Sequence, residues 1–190
     1  MMIRIGILGD IGSGKTYVAN KFGFPVFNAD YEVSKLYKKD KKIFQRLKKK
    51  LPNYISSFPI SKNELTKAIL NNKTNLKKII NVIHKEIRKK MKLFLEKNKN
   101  KKIVILDIPL LLENKIYNKK DILVFVESQK KDIEKRLKKR VNYNYKLLNK
   151  FKKIQLSINY KKNKSHFIIK NNFTKKSVNI GIKKILKEIL

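Results

Sequence analysis

Residues 3–16 read "IRIGILGDIGSGKT", and the fold follows from this stretch. "IRIGIL" (3–8) is a short β-branched apolar run, the composition of a buried strand. "GDIGSGKT" (9–16) then satisfies G-x-x-x-x-G-K-[ST], and from Lys15 onward Val18, Ala19 and Phe22 take up helical spacing. A glycine-rich turn between strand and helix lets successive backbone N–H groups face inward as an anion site, at a helix start whose dipole favours phosphate. The chain has only six glycines, and three of them (Gly9, Gly12, Gly14) fall within these eight residues. Bare backbone is needed here and little elsewhere. The motif predicts nucleotide phosphates, those of ATP, held by Ile11, Gly12, Ser13 and Gly14, with Lys15 at the β- and γ-phosphates and the Thr16 hydroxyl on Mg2+. Asp10 occupies a variable position. Its side chain is expected to turn from the phosphates toward solvent, a neighbouring lysine, the metal or the phosphoryl acceptor.

Four further apolar runs fit strands: "FPVFNAD" (24–30), "KIVILDIP" (102–109), "ILVFVE" (122–127) and "HFIIKN" (166–171). Helical segments separate them, which predicts a parallel sheet covered on both faces: an α/β, three-layer α/β/α P-loop NTPase fold with five strands. The chain reads helical from 31 to 98, apart from a break at "LPNYISSFPIS" marked by Pro52 and Pro59, and again over 129–156. The expectation is one kinase-like domain, with a core at 1–30 and 100–190, a helical acceptor-binding insert at about 31–98, and a basic lid at about 136–156. Ligands of such sheets sit at the carboxyl ends of the strands, so Gly9, Asp30, Asp107 and Glu127 are expected to face one crevice. The C-terminal "VNIGIKKILKEIL" spaces its apolar residues as a packing helix.

Composition narrows the classes. No cysteine is present, which excludes disulfides, thiolate metal sites and a cysteine nucleophile. No apolar run approaches the length of a membrane span, and "MMIRIGILGD" does not read as a signal peptide, so the expected setting is cytoplasmic. Forty-nine Lys and Arg against 14 Asp and Glu give a net charge of +35, which raises the question of a polyanionic partner. The lysines are spread along the whole chain in short clusters, the pattern of solvated surface, and no specific nucleic-acid partner is expected.

A phosphate loop indicates a nucleotide, and the acids indicate the reaction. Phosphoryl transfer to an alcohol needs a carboxylate to take the hydroxyl proton. Asp30, closing the second run, suits that role or that of a helix N-cap for "YEVSKLY". Asp107 ends the strongest strand, where it would orient Mg2+ or tether the loop through Lys15. Glu113 reads as a site residue or a helix-surface acid. Arg136 and Arg140 are four apart, expected on one helix face, either closing over ATP or forming one more basic surface. His84 reads equally as a core-edge residue or a substrate contact.

Together these segments resemble the dephospho-CoA kinase family. The family's G-G-I-G-S-G-K-[ST] loop is matched by "GDIGSGKT", with Asp10 in place of a glycine, and its D-A-D motif is similar to "NAD". Its "DIPLLFE" is matched by "DIPLLLE" (107–113), and "RLKKR" (136–140) is similar to its lid arginines. Gln155 and "FIIKNN" fall where the family has a glutamine and a "VI-x-N" segment. The chain departs at His84-Lys85 (His-Pro in the family), at Ser165-His166 (Ala-Asp), at Lys62 (arginine), and in lacking an "FG" pair near residue 50. The resemblance implies ATP-dependent phosphorylation of the ribose 3′-hydroxyl of dephospho-CoA by in-line transfer. It implies Asp30 as general base, Lys15 and Arg140 as catalytic cations and Arg136 and Arg140 on ATP. Thr16 and Asp107 would hold Mg2+, with Lys62, His84, Asp30 and Asp107 toward the acceptor. Two rivals remain open on the residues: a kinase for another small alcohol or nucleotide, and a polyanion-stimulated NTPase.

Overall fold

The computed structural model describes residues 2–141 and 143–190; Asn142, within the expected lid, lies outside the described residues. Strands form where the apolar runs predict: β1 (Ile3–Gly9), β2 (Val26–Asn28), β3 (Ile103–Asp107), β4 (Ile122–Glu127) and β5 (Phe167–Lys170). They make one parallel sheet in the order β2-β3-β1-β4-β5. The helices are α1 (Lys15–Lys21), α2 (Ala29–Lys39), α3 (Lys41–Lys50), α4 (Lys62–Asn71), α5 (Asn75–Lys97), α6 (Lys130–Lys138), α7 (Tyr145–Lys153), α8 (Ile158–Asn163) and α9 (Lys175–Ile189). The expected α/β/α fold with five parallel strands is present.

The chain forms two compact units, the first comprising Met1–Asn28, Lys97–Tyr143 and Gln155–Leu190, the second Ala29–Glu96 and Asn144–Ile154. In the first, alternate strand residues supply one core face. Ile5, Ile7, Ile103, Ile105, Val124, Val126 and Ile169 pack against Val18, Ala19 and Phe22 of α1 and its C-cap, and against Val178, Ile182 and Ile185 of α9. Gly181 brings α9 close to the sheet: a Cβ there would lie 3.1 Å from Ile169, tighter than most such contacts. Leu106, Leu123 and Phe125, offset by one residue, are buried on the opposite face.

In the second unit, Leu36, Ile43, Leu47, Leu65, Ile69, Ile79, Ile83 and Ile87 form the buried stripes of the amphipathic helices α2 to α5. The breaks have local causes. Asp40 caps α3 by accepting from the Ile43 N–H, and Ser61 with Glu64 forms a capping box at α4. The span from 31 to 98 therefore has three interruptions, where periodicity shows only the proline-marked one, because capping residues leave the apolar spacing almost intact.

Two boundaries differ from expectation. The second strand stops at Asn28, and Asp30 lies in the first turn of α2, where a carboxylate meets the helix dipole favourably. The basic run 129–156 splits into α6 and α7. Leu137 is the last buried apolar residue of α6, and with nothing further to bury the helix ends at Lys138. No helix among the described residues is long and apolar enough to cross a membrane.

Candidate active site

The carboxyl ends of β1 and β3 build the site. Gly9 ends β1, and the chain turns through a Ser13 N–H to Asp10 carbonyl bond of 3.2 Å before α1 begins. Gly14 has φ of +90°, a left-handed conformation that a side chain would strain, and no side chain caps the helix start. The Lys15 ammonium donates to the Asp10 carbonyl at 2.8 Å and the Gly9 carbonyl at 3.2 Å, so it lies folded across the loop. The Asp10 carboxylate accepts from the Ile11 N–H at 2.7 Å. The acid thus holds one of the loop's own N–H donors.

Strand register brings a second group together. Asn28 of β2 pairs alongside Asp107 of β3, and the Asn28 amide donates to Asp107 Oδ2 at 2.7 Å. The Thr16 hydroxyl donates to the same oxygen at 2.6 Å. Burial pushes the Asp107 carboxyl up, and the Thr16 hydroxyl, the Lys15 charge and the Asn28 amide only partly offset this. A hydroxyl and a carboxylate in contact beside a phosphate loop are two hard oxygen ligands of the kind that suits Mg2+. Asn28 escaped the sequence reading, because only its register opposite Asp107 marks it.

Arg136 lies in the last turn of α6, its guanidinium 4.3 Å from the centre of the Phe173 ring. Arg140 lies beyond the helix, whose C-cap is Lys139, and its N–H donates to the Leu137 carbonyl at 3.1 Å. The shared helix face expected for the two arginines is therefore absent. Glu113 is neither on a helix nor a surface acid. Its carboxylate pairs with Lys161 Nζ at 2.8 Å and accepts from the Leu156 N–H at 3.0 Å, while Gln155 accepts from Lys161 at 2.7 Å. Glu127 pairs with Lys162 at 2.6 Å. His166 extends the sheet: its N–H donates to the Leu123 carbonyl, and its Nδ1 accepts from the Leu123 N–H at 2.9 Å.

Asp30, Lys62 and His84 belong to the second unit. There the Asp30 charge, after burial, helps push the Tyr37 hydroxyl up. His84 on α5 is half-buried, and burial followed by the Arg88 charge pushes its imidazole down.

The dephospho-CoA kinase family model matches residues 3–177, across both units. The chain belongs to the dephospho-CoA kinase family. Among curated relatives, the dephospho-CoA kinase of Wolbachia pipientis wMel is 35% identical over 190 residues, covering 97% of each chain. A crystal structure from Thermus thermophilus superimposes with a TM-score of 0.79 at 22% identity, covering 100% of this chain and 98% of the other. The dephospho-CoA kinase from Campylobacter jejuni gives 0.62 at 23% identity, covering 98% and 96%. These two likenesses show the fold. Family membership makes the chain a kinase with a nucleotide-binding P-loop fold.

Proposed function

We propose that this kinase transfers the γ-phosphoryl group of ATP to the ribose 3′-hydroxyl of dephospho-CoA by in-line displacement. The hydroxyl oxygen attacks the γ-phosphorus, the bond to the β,γ-bridging oxygen breaks, ADP leaves, and Asp30 takes the hydroxyl proton. The observation that carries this reading is the Thr16–Asp107 contact beside the phosphate loop, in a chain matched almost end to end by the family. Lys15 leaves its carbonyl partners to meet the phosphates, so its charge is already at the loop before nucleotide arrives. Arg136 and Arg140 add charge from α6 and the turn after it. Mg2+ on Thr16 and Asp107 would supply positive charge to the β- and γ-phosphate oxygens. Lys62 and His84 are the acceptor-side residues in this reading.

The test is to incubate the purified protein with Mg·ATP and dephospho-CoA, AMP or buffer, and to separate and weigh the products. CoA and ADP should form only with dephospho-CoA. ADP formed without it, or with AMP alone, would overturn the acceptor assignment. Asp30→Asn should lose about 10²-fold or more in turnover while still binding nucleotide; near-normal turnover would remove Asp30 from the base role.

A further inference from the structure

One carbonyl of the phosphate loop is gripped from outside it. Ser13, fully buried, lies between Gly12 and Gly14, whose φ values are +89° and +90°. Its carbonyl oxygen accepts two hydrogen bonds, from the Asn171 side-chain amide at 2.8 Å and from the Ser128 hydroxyl at 3.0 Å. Ser128 is the first residue past β4 and Asn171 the first past β5, so two strand ends converge on one loop atom. Asn171 is 2% exposed and is itself fixed. Its N–H donates to the Glu127 carbonyl at 2.7 Å, and its Oδ1 accepts from the Phe173 N–H at 2.9 Å.

We infer that Asn171 and Ser128 are positioning residues that lock the Ser13–Gly14 peptide in the orientation nucleotide phosphate requires. This rests on the proposed nucleotide-binding role of the loop. An anion site made of backbone N–H groups works only while the intervening carbonyls point away. Glycines make a peptide flip easy, and a flip here would replace the Gly14 N–H with the Ser13 carbonyl oxygen. The two donors oppose that flip, since it would leave a buried amide and a hydroxyl without their acceptor. Gly14 fits the same arrangement. A Cβ on it would lie 2.5 Å from the Asn171 amide nitrogen and 3.5 Å from the Phe173 ring, so the brace closes directly over the loop. The turn that carries Asn171 also carries Phe173, on whose ring the Arg136 guanidinium rests. The end of β5 thus sets both the loop and one lid arginine.

The test uses the full chain with MgADP as probe, titrated calorimetrically, and dephospho-CoA titrated alone. Ser128→Ala should weaken MgADP binding about threefold to tenfold, the loss of one hydrogen bond, and Ser128→Thr should restore it. Asn171→Asp puts a carboxylate against the Ser13 carbonyl and should weaken MgADP about 100-fold. In both, dephospho-CoA affinity should stay within twofold of the unaltered chain, which a merely structural loss would not respect. Unchanged MgADP affinity in folded Ser128→Ala, failure of Ser128→Thr to rescue, or equal loss of both ligands would overturn the inference. Failure of the unaltered chain to bind MgADP would instead remove the nucleotide reading beneath it.

Discussion

Replacing Lys161 with methionine should expose how the chain is anchored where it re-enters the first unit at Gln155. The Lys161 and Glu113 side chains are only 5% and 9% exposed, and their charged atoms are 2.8 Å apart. At an effective dielectric constant of about 20 that separation gives a gross attraction of about 6 kcal/mol, much of it spent on removing both ions from water. Lys161→Met keeps the aliphatic volume but leaves Glu113 charged and buried beside the Leu156 N–H, and strips the Gln155 oxygen of its donor. Breaking such a pair costs about 3–5 kcal/mol, or roughly 6–20 °C in Tm for a chain of this size. Adding Glu113→Leu removes the orphaned charge and should recover at least half of the loss. Urea and thermal unfolding of the parent, both single variants and the double variant form the assay, with a coupling energy above about 2 kcal/mol expected. Additive losses, or a Lys161→Met cost under about 1 kcal/mol, would refute the reasoning.

Other outcomes follow from the same geometry. Asp10→Asn removes a negative charge from the phosphate loop and weakens the grip on the Ile11 N–H, so MgADP should bind about threefold to tenfold more tightly; unchanged or weaker binding would contradict that account. Lys15→Ala should abolish turnover and weaken nucleotide together, checked by product formation and titration calorimetry. Glu64 is pushed up by burial, yet the Ser56 hydroxyl and the N–H groups of Ser56, Ser61 and Ser57 outweigh this and hold its carboxyl at about 2. Because that lies below the ordinary value of 4.5, Glu64 stabilises the fold above pH 4.5 and loses the contribution as pH falls toward about 2. Glu64→Gln should therefore lower Tm at pH 7 and converge with the parent on acidification, and a gap independent of pH would refute this.

What was legible in the residues was local. A β-branched run, a glycine-rich loop and a helical stripe within residues 3–22 suffice for the phosphate loop, because strand, turn and helix there are consecutive in the chain. The apolar runs of β1, β3 and β4 were equally readable, since strands buried on both faces need continuous hydrophobic sequence. The helix ends were less so: α6 stops when its apolar residues run out, and charge spacing alone placed Arg136 and Arg140 on a face that the backbone does not form.

Partnerships between residues distant in the chain belong to the tertiary structure. Nothing near Asn28 announces Asp107, nothing near Ser13 announces Asn171 and Ser128, and Glu113 finds Lys161 only when β3 and α8 are set by the same sheet. Composition and periodicity report which surfaces must be buried. Which amide meets which carbonyl depends on strand order and register, and these are fixed only when all five strands pack together.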